Sequence, residues 1–71
     1  MLKRYTALRT WRTAVANHRG VGPEIVMNNG LLLKIAEQAP RSPAELEEIA
    51  EIGPWKASTY GSEILQVIRE N

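Results

Sequence analysis

Three groups of residues in this 71-residue chain have types and spacings suited to chemistry. Tyr5, Arg9 and Arg12 are spaced i, i+4, i+7, so a helix sets a phenol and two guanidiniums along one flank, with Arg19 near the same line. Such a stripe suits the bases and phosphates of a single strand; it is also the charged margin that any amphipathic helix carries beside its buried face. Gly53 and Lys56 bracket the start of a helical segment, where free N–H groups and the helix dipole favour an anion. The plainer alternative is that Gly53 supplies backbone freedom for a tight turn and Lys56 is a solvated charge. Trp55, just past Gly53-Pro54, either stacks on a nucleotide or plugs the gap between neighbouring helices, and the plug is the expected role. Trp11 and Tyr60 fall on apolar helix faces and are expected in the core.

Catalysis finds no foothold. The chain has no cysteine, no aspartate and one histidine, His18, so disulfides, thiolate metal sites and nitrogen-rich metal clusters are excluded. The glutamates gather on one short segment rather than around a pocket, and no glycine-rich phosphate loop is present. The expectation is a non-enzymatic domain with no cofactor and no metal.

The net charge is +1, too near balance for a general polyanion binder, but its distribution is uneven. The first twenty residues hold Lys3, Arg4, Arg9, Arg12 and Arg19 without an acid, whereas residues 45–51 hold Glu45, Glu47, Glu48 and Glu51 without a base. Either the two segments attract each other or stay solvated, or the basic one faces phosphate and the acidic one a protein. The longest uncharged apolar run, Leu31 to Leu33, is too short to span a bilayer, and no signal pattern opens the chain, which points to a cytoplasmic protein.

Glycine and proline divide the chain into four helical segments with no strand pattern between them. The first runs from Leu2 to His18, with Ala7, Leu8, Trp11, Ala14 and Val15 as its buried stripe, Thr6, Thr10 and Thr13 facing away, and Gly20 as its stop. Ile25, Val26 and Met27 predict a single turn pinned into the core. The second segment, N-capped by Asn28, runs to Gln38 ahead of Pro40, and Leu31 to Leu33 cannot all face inward on it. Ser42-Pro43-Ala44-Glu45 has the form of a capping box opening a short third segment through Leu46 and Ile49. The fourth, Pro54 to about Arg69, repeats its apolar positions Ala57, Tyr60, Ile64, Val67 and Ile68 at helical spacing, and Gly61 within it predicts a close helix crossing. The fold class is therefore all-α: one small compact bundle of four to five short helices over residues 1–71.

Ile52-Gly53-Pro54-Trp55-Lys56 with Tyr60-Gly61 resembles the HRDC (helicase and RNase D C-terminal) family, whose pattern there is Ile/Val-Gly-x-x-Lys followed by Tyr/Phe-Gly. Leu8-Arg9-Thr10-Trp11-Arg12 is similar to the first-helix pattern of that family, and Val21 to Asn28, Leu32 to Ala36 and Pro40 to Leu46 also fit, so the resemblance covers roughly residues 5 to 68. It implies a helical accessory domain from the C-terminal part of a larger enzyme, most like those of RecQ-type DNA helicases, that binds single-stranded or branched DNA or contacts other proteins or domains. Where many relatives carry paired prolines and then an aromatic, this chain has Gly22, Pro23 and Glu24, and a carboxylate neither stacks nor attracts phosphate.

Two functions follow as expectations. One is weak DNA binding through Tyr5, Arg9, Arg12, Gly53, Trp55 and Lys56, by a domain that is monomeric in isolation. The other is a protein or interdomain contact through the acidic segment Glu45 to Glu51.

Overall fold

The computed structural model describes residues 2–71, which form five α-helices and a 3₁₀ turn and, among the described residues, no strand. Helix α1 (Leu2–Arg19) is followed by the one-turn α2 (Pro23–Val26), α3 (Asn29–Gln38), the short α4 (Pro43–Glu47), a 3₁₀ turn (Ala50–Ile52) and α5 (Gly53–Glu70). None of the described helices is long and apolar enough to cross a membrane.

The helix boundaries follow from local chemistry. Gly20 ends α1 with a positive φ of 71°, a conformation that favours a residue without a Cβ. Asn28 caps α3 by accepting the Leu31 N–H at 2.8 Å, and Ala39 closes it in the left-handed region at φ 46°. Ser42 caps α4 by accepting the Glu45 N–H at 3.2 Å. The reciprocal half of the capping box is displaced by one residue: the Glu45 carboxylate accepts from the Arg41 N–H at 3.0 Å, not from Ser42. The third segment is also split, because α4 ends at Glu47 and the chain passes through Ile49 into the 3₁₀ turn.

Helix α1 packs on α2, α3 and α5, while α4 and the 3₁₀ turn pack on α5. Between them lies one apolar core, in which Leu8, Met27, Leu32, Ile35, Leu46, Ile49 and Ile64 are fully enclosed. The radius of gyration of 10.9 Å is that of a compact folded chain of this length. Leu31 and Leu32 turn inward and Leu33 remains partly exposed, as one helix requires. Gly61 is buried against α4, where a Cβ would lie 3.5 Å from Leu46 Cδ2. That is ordinary van der Waals contact, so the crossing is close without requiring glycine.

The buried stripe of α1 is rotated from the one its apolar residues predict. Its deepest positions are Leu8, Arg12 and Ala16, while Ala14 is exposed and Trp11 only half-buried. Arg12 is 7% exposed, and this corrects its expected place on the flank. Its guanidinium donates from one nitrogen to the Met27 carbonyl at 3.0 Å and to Asn29 Oδ1 at 2.7 Å. Those two acceptors, at the junction of α2 and α3, take the place of water at one terminal nitrogen of a cation that spacing alone assigns to solvent, while its buried Nε has no hydrogen-bond partner among the described residues. Arg4 is also structural, its Nε donating to the Ala36 carbonyl at 2.8 Å. On the opposite side, Lys34 of α3 forms an ion pair with Glu51 of the 3₁₀ turn, and this hydrogen bond holds the Glu51 carboxyl below its ordinary pKa.

Candidate nucleic-acid interface

At 100° per residue, Leu8, Arg12 and Ala16 form the central strip of α1, with Tyr5 and Arg9 on one flank and Trp11, Val15 and His18 on the other. The second flank faces α5. There Trp11 Nε1 donates to Glu63 Oε1 at 3.1 Å, and the Trp11 and Tyr60 rings meet edge to face with centroids 5.6 Å apart. Tyr60 in turn meets Trp55 edge to face at 5.8 Å. The Arg19 guanidinium lies over Trp55, 5.9 Å from the ring centroid, and donates to the Tyr60 hydroxyl.

This cluster is ordered from both ends. Tyr60 is buried and wedged between two tryptophans, so each indole has a fixed neighbour. Trp55 nevertheless keeps 60% of its surface exposed. The expected role as a plug is therefore corrected: Tyr60 fills the gap between the helices, and Trp55 stands outside it. Beside the cluster, α1 and α5 enclose an open cleft of about 400 Å³ lined by Trp11, Val15, His18, Arg19, Tyr60 and Glu63, among others.

The sequence-derived candidates divide accordingly. Tyr5 and Arg9 come together on the far flank of α1, with the Arg9 guanidinium 5.9 Å from the Tyr5 ring centroid, but the strip of Leu8 and Arg12 separates them from the tryptophans. Arg12 is inside. Gly53 has φ 71°, so its backbone freedom is used in the turn into α5. Lys56 is half-buried one residue after Trp55 and makes no ion pair among the described residues. The sequence reading missed the part played by Trp11, His18, Tyr60 and Glu63 at this surface. The spacing of Trp11 and His18 at i, i+7 was a visible signal, since it puts both on one flank; the pairing with Glu63 across α5 was not.

A second concavity, about 580 Å³, lies between α4 and α5. Pro43, Leu46 and Leu65 give it an apolar lining, and Arg41, Arg69 and Glu47 give it charge. Among the described residues no group of His, Cys, Asp or Glu is placed to hold a metal ion.

The HRDC domain family model matches residues 1–68. The chain belongs to the HRDC family. HRDC domains are small accessory modules without catalytic activity, and the all-α bundle is the fold expected of one. The domain is 37% identical over 62 residues to proteins named ATP-dependent DNA helicase UvrD2 from Mycobacterium bovis and from two strains of Mycobacterium tuberculosis. The match covers 87% of this chain and 9% of each relative, so the HRDC domain corresponds to a small part of those proteins. These relatives carry the name UvrD2, not RecQ, the helicase type to which the motif resemblance pointed. No solved structure matches the chain significantly.

Proposed function

We propose that this HRDC domain is an accessory DNA-binding module of an ATP-dependent DNA helicase, of the UvrD2 kind named among its relatives rather than the RecQ kind. It holds single-stranded or branched DNA weakly, as a cytoplasmic monomeric unit of the parent chain, and so positions the motor. The observation that carries this reading is Trp55, a large exposed ring whose neighbours Arg19 and Tyr60 fix its place while leaving it open to a base. A base stacked on an aromatic side chain is worth about 1–3 kcal/mol regardless of sequence, and Arg19, whose guanidinium lies against the Trp55 ring, supplies a cation for the adjoining phosphate. Arg9 and Lys3 offer further phosphate contacts from the exposed side of α1. Titration of a labelled single strand at two salt concentrations tests the proposal, because phosphate contacts weaken as salt rises. Arg19→Ala and Trp55→Ala should each weaken binding while the fold persists. No binding by the wild-type domain at low salt would remove the DNA reading.

The α4–α5 groove favours a second reading, a contact with another domain of the same helicase, since its apolar lining and two arginines make a surface unlike the Trp55 face. Arg41→Glu with Arg69→Glu in the full-length helicase should then alter its activity without changing single-strand affinity of the isolated domain.

A further inference from the structure

Glu63 gives the cleft between α1 and α5 a property that stacking alone lacks. Trp11 Nε1 holds one carboxylate oxygen at 3.1 Å and thereby orients the group, while the other oxygen makes no hydrogen bond among the described residues. His18 and Arg19 stand at the opposite end of the same cleft. From Trp11 to Arg19 is eight residues of α1, about 12 Å of helix, the scale of one nucleotide from phosphate to base edge.

We propose that this cleft takes one unpaired nucleotide of a single strand, with its phosphate toward Arg19 and His18, and selects guanine through the Glu63 carboxylate. A carboxylate accepts hydrogen bonds and donates none, and each of its oxygens has two lone pairs, so the bond from Trp11 leaves room for another. The Watson–Crick edge of guanine presents two adjacent donors, N1–H and the N2 amino group, which match the two oxygens in one plane. Adenine and cytosine present an amino donor beside an acceptor nitrogen, and thymine one N–H between two carbonyls. In each of these an acceptor faces a carboxylate oxygen and is repelled. Unpaired bases are read by such edge contacts together with stacking, and here the half-buried Trp11, backed by Tyr60, supplies the aromatic wall.

This selectivity rests on the single-stranded DNA reading, and the experiment separates the two. Fluorescence anisotropy compares labelled oligo(dT) with the same strand bearing one central deoxyguanosine, deoxyadenosine, deoxycytidine or deoxyinosine. The deoxyguanosine strand should bind about fivefold or more tightly than oligo(dT), the lower end of what a bidentate base contact discriminates. Deoxyinosine, which lacks the N2 amino group, should lose most of that gain. Glu63→Gln keeps an acceptor for Trp11 Nε1 and should leave the thermal melt unchanged while bringing the deoxyguanosine strand down to the oligo(dT) level. By NMR, deoxyguanosine monophosphate should move the Trp11 indole N–H resonance and thymidine monophosphate should not. Equal affinity for the deoxyguanosine and oligo(dT) strands, or a guanine preference that survives in Glu63→Gln, overturns the pocket and leaves the DNA reading standing. Failure of every strand to bind at low salt removes both.

Discussion

Replacing Gly61 with alanine should stabilise this domain. Glycine within a helix costs about 1 kcal/mol relative to alanine, because it restricts a freer backbone on folding. Gly61 lies near the middle of α5 and lacks the positive φ found at Gly20 and Gly53, so its backbone already suits an L residue. The one neighbour outside the helix that the new methyl would meet is Leu46 Cδ2, at 3.5 Å. Contact at that distance is attractive rather than repulsive, so nothing offsets the propensity gain. For a domain of 60–100 residues, about 1 kcal/mol raises Tm by about 4–8 °C. Far-UV circular dichroism measures this on heating. A urea titration should show a higher midpoint at an unchanged slope, which assigns the gain to stability rather than to a changed unfolded state. Gly61→Val should go the other way, since a branched side chain drives a second methyl toward α4. A lower Tm for Gly61→Ala would refute the argument, for it would mean that α4 crosses α5 more tightly than the Leu46 distance indicates.

Arg12→Ala should cost about 3 kcal/mol or more, because it removes two charge-assisted hydrogen bonds and leaves the Met27 carbonyl buried without its donor; a melt within 2–3 °C of wild type would contradict this. Ser42→Ala should cost about 1 kcal/mol through loss of the α4 cap, read as a lower denaturation midpoint. The Glu51 carboxyl should titrate below its ordinary range by NMR and rise toward it in Lys34→Met, which removes the Lys34 hydrogen bond but leaves the one from the backbone. Because its folded pKa is depressed, the stabilisation from this ion pair is present above the unfolded carboxylate pKa and is lost as pH falls through the folded value.

The helix starts were the most legible part of this fold. Asn28, Ser42 and Pro43 act through their own and adjacent backbone groups, so the information is local and the sequence displays it. The stop at Gly20 was legible for the same reason, and helical geometry showed that one of Leu31 to Leu33 must face outward without saying that it is Leu33. Arg12 was not. Whether an arginine is buried depends on acceptors brought from elsewhere, here Met27 and Asn29 across the α2–α3 junction, and spacing on α1 carries no record of them. The displaced α1 stripe and the half-buried Trp11 follow from that one event, since seating Arg12 inward turns Trp11 toward the α5 edge. At the candidate site Trp55 and Lys56 were visible as a pair, but the aromatic chain that fixes Trp55 needs Tyr60 between two tryptophans 44 residues apart in the sequence.

The same aromatic chain makes the domain its own optical reporter. It has two tryptophans, and both belong to the α1–α5 face. Trp11 is half-buried and hydrogen-bonded, and Trp55 is open to water, so their emission should differ in wavelength. A strand arriving on Trp55 should dim the red side of the spectrum first, whereas melting the bundle should shift the blue side. Binding and unfolding can therefore be told apart in one unlabelled sample by colour.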